Sequence, residues 1–354
     1  MTETAPHSPP PAAGNDLLTT LLQGVSRSFY LTLRVLPVAI RPQIGLAYLL
    51  ARTTDTIADT AIVPVPDRLA TLDALRERIL GLTSKPADLH PFLATEGNLG
   101  APASPAERIL LARVEETLQL LEALPEGDRK QVRQVLDIIT TGQMLDLQRF
   151  GDASSDRIVT LADDAELDDY TYRVAGCVGE FWTRLCRAHL FPLAVLDDQF
   201  LLTNGVRFGK GLQLVNVLRD LPADLRQGRC YIPADGLKRH GLTPSALLEP
   251  AGIGRFRNLY DTHLARAREH LAAGWNYTNS LPRNEARVRL ACAWPILIGV
   301  RTLSRLRTGN VLDARQRIKV GRAEVRGLVL RSLLCYPFPA AWDRLFEHAR
   351  LGSS

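Results

Sequence analysis

Hydrophobic residues recur every three to four positions through most of the chain. In residues 68–82, for example, leucine and isoleucine return at the spacing that puts them on one face of a helix. Alternation with a period of two, which marks a strand, forms no convincing ladder. The pattern therefore predicts an all-α protein, with helices near residues 16–22, 31–36, 43–60, 68–82, 106–124, 129–149, 167–190, 194–202, 208–221, 234–240, 244–248, 254–275, 284–307, 325–334 and 341–351.

The segments between these helices are marked by proline, glycine and polar residues. Residues 1–14 are rich in Pro and Ala without an apolar core, which predicts a disordered tail and not a signal peptide. Residues 83–105 predict a long loop, and residues 150–165 a polar connection. Pro222 is expected to end or bend its helix. No repeat or Gly/Ser linker divides the rest, so residues 15–354 are predicted to form a single domain.

Composition narrows the class of protein. The 354 residues are 46% hydrophobic, which is ample for a core, and the net charge of +5 is spread along the chain. The absence of a basic arm argues against nucleic-acid binding. Five cysteines without a CxxC pair fit a reducing compartment. Apolar runs such as 290–300 are too short to span a bilayer. We therefore expect a cytoplasmic protein whose only membrane contact is peripheral, at the inner face.

Two pairs of aspartates stand out, because each pair has the four-residue spacing of a single helix face. They are Asp55 with Asp59 and Asp220 with Asp224. Like charges at this spacing cost a helix roughly 0.2–0.5 kcal/mol, so something should offset the repulsion. Oxygen ligands without neighbouring nitrogen or sulfur suit Mg²⁺, which often bridges phosphate oxygens. The pairs are expected to face each other across a cavity and to hold Mg²⁺ against a diphosphate.

An arginine precedes each pair, at Arg52 and Arg219. Each aspartate could instead face solvent or simply pair with that arginine. The occurrence of two such pairs, both in apolar helices, favours the metal site. Guanidinium groups at these positions would hydrogen-bond phosphate oxygens in a bidentate way.

Five stretches of the chain together resemble one known family. They are Ser-Arg-Ser-Phe at 26–29, residues 48–59, Tyr170 with residues 174–179, residues 213–224, and Gly-Arg-Cys-Tyr-Ile-Pro at 228–233. In order and spacing they resemble the squalene and phytoene synthases, and the resemblance covers roughly residues 20–330. It implies an all-α isoprenoid synthase bundle with a central cavity, two prenyl diphosphate substrates and Mg²⁺.

The resemblance also assigns roles to individual residues. The four aspartates become metal ligands and Tyr170 a catalytic residue. The substrate-binding residues it implies are Arg27, Ser28, Phe29, Tyr48, Arg52, Gln213, Asn216, Arg219 and Arg229. Each has a plainer alternative: solvated surface charge for the outlying arginines, core packing for the aromatic residues, and surface exposure for the amides. For the glycines of 174–179 the alternative is close helix packing.

A basic segment near the C-terminus bears on the product. Residues 315–322 read Arg-Gln-Arg-Ile-Lys-Val-Gly-Arg and resemble the segment that squalene synthases use near the NADPH phosphate. The resemblance then implies that Arg315, Arg317 and Lys319 bind NADPH; the alternative is a solvated basic face.

The implied reaction joins two farnesyl diphosphates through presqualene diphosphate, followed by NADPH reduction to squalene. A phytoene, dehydrosqualene or hydroxysqualene synthase without hydride transfer remains open. So does a non-catalytic paralogue that binds prenyl lipids. Chain-length preference and oligomeric state are not indicated by the sequence.

Overall fold

A computed structural model describes residues 17–26, 30–93, 104–316 and 318–351. These residues are almost entirely helical, which confirms the all-α prediction. They divide into two compact units, Met1–Arg34 with Arg41–Thr140 and Val35–Ile40 with Thr141–Ser354. The single-domain assignment of 15–354 stays a prediction. The tail at 1–14 lies outside the described residues.

The helices of the N-terminal part follow the predicted order closely. A π-helical turn at Leu17–Leu21 comes first. The α-helices are then α1 (Leu22–Ser26), α2 (Tyr30–Val35), α3 (Arg41–Asp59), α4 (Val65–Leu80), α5 (His90–Leu93), α6 (Pro105–Ala112), α7 (Val114–Glu122) and α8 (Glu126–Phe150).

Local signals explain where several of these helices begin and end. Pro64 precedes α4, and Gly81 ends it in the left-handed region with a φ of 74°. Ser104 and Glu107 form a reciprocal capping box at the start of α6. The single helix predicted over 106–124 is wrong, because the backbone leaves helical values at Arg113 and separates α6 from α7.

The remaining elements contain two short strands. In chain order they are β1 (Val159–Thr160), α9 (Asp164–Thr171), a π-helical turn (Tyr172–Gly176), α10 (Cys177–His189), α11 (Asp198–Arg226), β2 (Arg229–Cys230), α12 (Ala234–Arg239), 3₁₀ turns (Pro244–Leu248 and Pro250–Gly252), α13 (Ile253–Ser280), α14 (Ala286–Thr308), α15 (Arg322–Cys335), α16 (Pro339–Asp343) and α17 (Leu345–Leu351).

Helix α11 is longer than the sequence predicted, since it joins the segments 194–202 and 208–221 and continues through Pro222. Proline has no N–H, so the carbonyl of Leu218 loses its partner four residues ahead. The hydroxyl of Tyr260, on α13, donates to that carbonyl at 2.9 Å. The buried carbonyl is thereby satisfied, the helix need not end at Pro222, and Asp224 lies in its last turn.

The crossing of α11 with the preceding helical segment depends on glycine. A Cβ at Gly179 of α10 would lie 1.8 Å from the carbonyl oxygen of Gly205, and one at Gly209 would lie 2.1 Å from that of Ala175. Backbone therefore packs directly on backbone. The close-packing interpretation of residues 174–179 fits this geometry.

A two-residue parallel pairing of β1 with β2 corrects two expectations from the sequence. Residues 150–165 were predicted to be a polar connection, and no strand ladder was expected. The N–H of Val159 donates to the carbonyl of Gly228 at 2.8 Å. Gly228 has a φ of 79°, and a Cβ there would collide with the backbone of Ser154. These contacts fix the backbone of Arg229.

Helices α11, α13 and α14 enclose the core of the second unit, and aromatic residues close its C-terminal end. Trp342 stacks on Trp275 with ring centroids 5.2 Å apart and meets Tyr336 edge-on. The helix predicted at 341–351 is interrupted at Arg344, between α16 and α17. No helix within the described ranges is long and apolar enough to cross a bilayer.

Candidate active site

The first candidate cluster lies on α3 and is called here the Asp55 cluster: Tyr48, Arg52, Asp55, Asp59 and Glu107. The first four are spaced three or four residues apart, so they share one face of the helix. Arg52 binds two carboxylates at once, Asp55 on its own helix and Glu107 at the start of α6.

Two carboxylates on one helix face change the acidity of Asp55. The pKa of Asp55 is raised to about 6, first by burial and then by the charge of Asp59, while Arg52 opposes both effects. The carboxyl therefore favours a neutral form or a nearby cation. Glu107 was missed from the sequence, because only folding brings α6 beside Arg52; its capping-box spacing from Ser104 marked a helix start and nothing more.

The second cluster lies on and beside α11 and is called the Asp220 cluster: Arg219, Asp220, Asp224 and Arg229. The guanidinium of Arg219 donates to both carboxylate oxygens of Asp220, at 2.8 and 2.5 Å. The pKa of Asp224 is raised to about 7, first by burial and then by the charge of Asp220, whereas Arg229 and Arg219 lower it. Arg229 is thus close enough to influence Asp224 from β2.

Tyr170 and the two predicted amides form a chain of side chains beside this cluster. Asn216 donates to the amide oxygen of Gln213 at 3.4 Å, and Gln213 donates to the hydroxyl of Tyr170 at 3.1 Å. Tyr170 lies two residues before the π-helical turn, a local distortion that is frequent at functional sites. Gln213 is therefore a partner of Tyr170, and Asn216 is a partner of Gln213.

Two further residues next to Tyr170 were not singled out from the sequence. Tyr231 stacks on Tyr170 with ring centroids 4.5 Å apart, and its hydroxyl donates to Asp146 at 3.0 Å. Tyr231 lay inside the quoted 228–233 stretch. Asp146 is a lone acid between Leu145 and Leu147 on α8, and that isolation was the only signal for it.

Both carboxylate pairs fit a divalent cation. Their donors are oxygens, and the pKa values of Asp55 and Asp224 are raised first by burial and then by the charge of the other aspartate of each pair. Within the described ranges, no group of three or more His, Cys, Asp or Glu side chains is arranged to hold a metal. Two carboxylates suffice for Mg²⁺ when water and phosphate oxygens complete its octahedron. The expectation that the two pairs face each other stays a prediction.

Other predicted site residues are placed outside these clusters. Arg27, Ser28, Phe29 and Arg317 lie outside the described residues. Lys319 is exposed, and Arg315 is exposed and paired with Asp313 at 2.9 Å. The positive charge of this exposed segment is compatible with an anionic phosphate group. NADPH binding there stays a prediction.

The helical architecture and the arginine-flanked carboxylate pairs define an all-α protein of the isoprenoid synthase fold. The family model described as squalene/phytoene synthase matches residues 22–324. The chain belongs to the squalene/phytoene synthase family.

Named relatives and solved structures agree with this assignment. A bifunctional lycopene cyclase/phytoene synthase of Colletotrichum graminicola is 30% identical over 74% of this chain and 41% of its own length. A 15-cis-phytoene synthase of Synechocystis sp. is 28% identical over 82% of this chain and 76% of its own. The chain thus spans about two fifths of the bifunctional relative.

Two solved structures share the fold at lower sequence identity. The ligand complex of TcSQS has a TM-score of 0.74 and 22% identity, and the match covers 96% of this chain and 91% of that one. The squalene synthase HpnC of Alicyclobacillus acidocaldarius has a TM-score of 0.59 and 18% identity, over 84% and 94%.

Proposed function

We propose that the protein joins two prenyl diphosphates head to head. The observation that supports this most directly is the Asp220 cluster with Tyr170 beside it. Cleavage of an allylic C–O bond needs charge stabilisation on the departing diphosphate, and the first coupling needs a group that removes a proton. Arg219, Asp220 and Asp224 match the first need, and Tyr170 the second.

Each charged residue has a defined part in this proposal. Asp55, Asp59, Asp220 and Asp224 would hold Mg²⁺, which neutralises charge on a leaving diphosphate when bound. Arg52, Arg219 and Arg229 hydrogen-bond phosphate oxygens. Glu107 fixes one side of the Arg52 guanidinium, so its free N–H groups are aimed before substrate arrives. The reaction would require a site that excludes water, which would otherwise trap the cation as an alcohol.

For the product we propose squalene, made from two farnesyl diphosphates through presqualene diphosphate. The basic segment with Arg315, Arg317 and Lys319 favours this product, because reduction of the second cation requires a hydride donor such as NADPH. The second candidate is a hydride-free product, phytoene from C20 substrates above all. The identity of 28–30% to phytoene synthases favours that alternative.

Product analysis separates these candidates. The enzyme is incubated with farnesyl or geranylgeranyl diphosphate and Mg²⁺, with and without NADPH, and the hydrocarbons are identified by mass spectrometry. We expect squalene only when farnesyl diphosphate and NADPH are both present. Phytoene from the C20 substrate without NADPH would establish the second candidate.

The matched control for this experiment is Asp220→Asn, which keeps the side-chain shape and removes the charge. We expect the variant to form no coupled product. Wild-type activity in that variant would contradict the proposed metal role. A wild-type protein that binds farnesyl diphosphate and forms no product would instead be a non-catalytic prenyl-lipid-binding paralogue.

For its partner surface we propose peripheral contact with an anionic bilayer through α15 and the residues after it. Leu330, Leu334 and Phe338 are exposed by 58%, 65% and 64%. Three exposed arginines lie on the same helix, at Arg322, Arg326 and Arg331, while its acidic residue Glu324 is turned to Arg301 and Arg305. Apolar and cationic side chains on one face suit an anionic lipid surface.

A further inference from the structure

A cavity of about 250 Å³ lies among α13, α14 and α17, and it is called here the arginine pocket. All of its lining residues belong to the second compact unit, and none of them belongs to the Asp55 cluster or the Asp220 cluster. Small-molecule sites are concave and usually enclose roughly 300–1,000 Å³. The arginine pocket therefore suits a compact ligand, and it is built from residues that the proposed chemistry does not use.

Two neighbouring helices contribute matching sets of residues to this pocket. The lining positions are 261, 264, 265 and 268 on α13, and 300, 303, 304 and 307 on α14. Both sets have the spacing of a single helix face. Helix α17 completes the pocket with its last two residues. Each of the three helices contributes one arginine: Arg268, Arg307 and Arg350.

The floor of the pocket is apolar. Leu264, Val300 and Leu303 line it, and all three are buried members of the hydrophobic core of the second unit. A hydrocarbon chain that lies against these side chains leaves water, and every methylene group buried in this way favours binding. The floor therefore suits the apolar part of a ligand.

The rim of the pocket carries donors that have no partner in the protein. Arg268 and Arg307 are exposed, and within the described ranges their guanidinium groups make no hydrogen bond or ion pair. The half-buried hydroxyl of Ser304 likewise has no hydrogen bond to a described residue. Arg350 donates to Glu347 through Nε at 2.6 Å, which leaves its two terminal nitrogens for another acceptor.

The charges around the pocket favour an anion. The one carboxylate among the lining residues, Asp261, lies 3.7 Å from Arg257, and Glu347 is paired with the third arginine of the rim. Arg268 and Arg307 thus keep two positive charges that no carboxylate balances. Guanidinium groups bind phosphate oxygens in a bidentate way, and a phosphate monoester carries nearly two negative charges above neutral pH.

We propose that the arginine pocket binds an organic phosphate with a short hydrocarbon chain. Arg268, Arg307 and the terminal nitrogens of Arg350 hold the phosphate, and the hydroxyl of Ser304 donates a further hydrogen bond. The chain lies on the apolar floor. This site goes beyond the proposed function, because it uses neither carboxylate pair. The plainer alternative is a surface depression with three solvated arginines, which would bind no such ligand.

The test measures binding of hexyl phosphate by isothermal titration calorimetry at pH 8. EDTA is present and prenyl diphosphates are absent, so the measurement does not depend on Mg²⁺ or on turnover. We expect saturable binding of one ligand per chain. Inorganic phosphate has no chain to bury, so its affinity should be at least about tenfold lower.

Variants at the rim show whether the ligand occupies this pocket. Arg268→Gln and Arg307→Gln should each weaken hexyl phosphate binding at least about tenfold, because each removes a charged hydrogen bond. The matched control is the double variant of Arg255→Gln and Arg287→Gln, exposed arginines of the same two helices that do not line the pocket. It should keep the wild-type affinity. Circular dichroism should show the wild-type fold in all of them, because these side chains make no contact that holds the fold.

A second arm of the experiment distinguishes two sources of the phosphate. The double variant of Arg268→Gln and Arg307→Gln is co-sedimented with vesicles that contain phosphatidic acid. Vesicle binding equal to that of the control double variant would identify a soluble phosphate ester as the ligand. Weaker vesicle binding than the control, together with the loss of hexyl phosphate affinity, would identify the head group of a membrane lipid in the same site.

Three outcomes would overturn the arginine pocket. They are the absence of saturable hexyl phosphate binding by the wild type, equal affinity in the wild type and the Arg268 and Arg307 double variant, and a loss of affinity in Arg219→Gln without one in Arg268→Gln. The last result would assign the ligand to the Asp220 cluster. A wild type that forms no coupled product but binds hexyl phosphate would refute the proposed function and leave the pocket intact.

Discussion

His263 is a buried ionisable residue that the proposed chemistry does not use. It lies on α13 with 4% of its surface exposed, and neither ring nitrogen has a hydrogen-bond partner among the described residues. Burial lowers the pKa of His263 to about 4; the charge of Arg266 acts in the same direction, and Asp164 and Asp235 oppose it. The residue is therefore held neutral in the folded state.

This state of His263 predicts loss of stability in mild acid. The unfolded histidine takes up a proton below about pH 6.5, and the folded one only near pH 4, so unfolding binds a proton between these values. The free energy of unfolding should fall by roughly 3 kcal/mol from this residue as the pH drops from 6.5 to 4. Denaturant unfolding of wild type and His263→Leu across this range measures the difference.

The matched control is His348→Leu, at an exposed histidine of α17. Its unfolding should keep the pH dependence of the wild type, while His263→Leu should show a flatter profile. Equal slopes in wild type and His263→Leu would contradict a buried neutral His263.

The site residues divide by how far apart in sequence their partners lie. Arg52 with Asp55, and Arg219 with Asp220, are neighbours on one helix, so the sequence already offered their pairing as the alternative to a metal site. By contrast, Glu107, the partner of Arg52, and Tyr231, the partner of Tyr170, lie on other elements of the structure. The spacing of residues along the chain does not predict these contacts, because they depend on how the elements pack and not on the order of residues within one helix.

At the scale of elements, the glycine crossing between α10 and α11 leads to a prediction about stability. A methyl group at Gly179 would overlap the carbonyl oxygen of Gly205, and backbone cannot rotate away as a side chain does. We expect Gly179→Ala to lower the free energy of unfolding by roughly 3 kcal/mol or to prevent folding. Thermal unfolding followed by circular dichroism measures the change.

The matched control for this change is Gly254→Ala, in the first turn of α13. A Cβ at Gly254 meets no atom within 4 Å, and alanine is the better helix former by about 1 kcal/mol. The control should be as stable as the wild type or more so. Equal stability of both alanine variants would contradict the direct backbone packing.

The exposed face of α15 leads to a prediction about membranes. Burial of a leucine in the interface contributes about 1.5–3 kcal/mol, so a Leu330→Ser and Leu334→Ser double variant should lose at least tenfold in affinity for vesicles that contain anionic lipid. Co-sedimentation with anionic and neutral vesicles measures this. The wild type should bind the anionic vesicles and be released by salt.

The control carries serine at Leu193 and Val195, which are also highly exposed but lie between α10 and α11. Its affinity for anionic vesicles should equal that of the wild type. Binding that is the same for neutral vesicles, or that survives in the Leu330 and Leu334 double variant, would exclude this surface.

Helix boundaries show why propensity alone could not give the full length of α11. Its glycines and Pro222 predicted interruptions, because each disfavours a helix when nothing else contacts it. In the structure the glycines admit a neighbouring backbone, and Tyr260 replaces the hydrogen bond that Pro222 removes. Tertiary contacts thus override the local signals. The bounds of α3 and α8 were predicted within a few positions.

At the scale of the whole molecule, the carboxylate pairs predict that ligands stabilise the fold. Mg²⁺ with pyrophosphate should raise the thermal midpoint at pH 8 by a few degrees, since both bind the folded state alone. The shift should shrink below about pH 6, where protons compete for Asp55 and Asp224, whose pKa values are about 6 and 7. Differential scanning fluorimetry with and without EDTA measures it.

Two variants and a control make this prediction specific. Asp55→Asn and Asp224→Asn should each diminish the shift. Asp137→Asn should leave it intact, because that carboxylate pairs with Arg76 and belongs to neither carboxylate pair. A full shift in the Asp224→Asn protein would show that the ions bind elsewhere.

The bond from Tyr260 to Leu218 has a consequence for engineering. At Pro222 the end of α11 lacks one backbone hydrogen bond of the helix, and the bond from Tyr260 on α13 replaces it. Helix α13 therefore supports the turn that carries Asp224. Replacement of Tyr260 by phenylalanine would loosen that turn while leaving every acidic ligand in place. Under the proposed function, we therefore expect the affinity for Mg²⁺ to be adjustable from Tyr260, a residue that belongs to neither carboxylate pair.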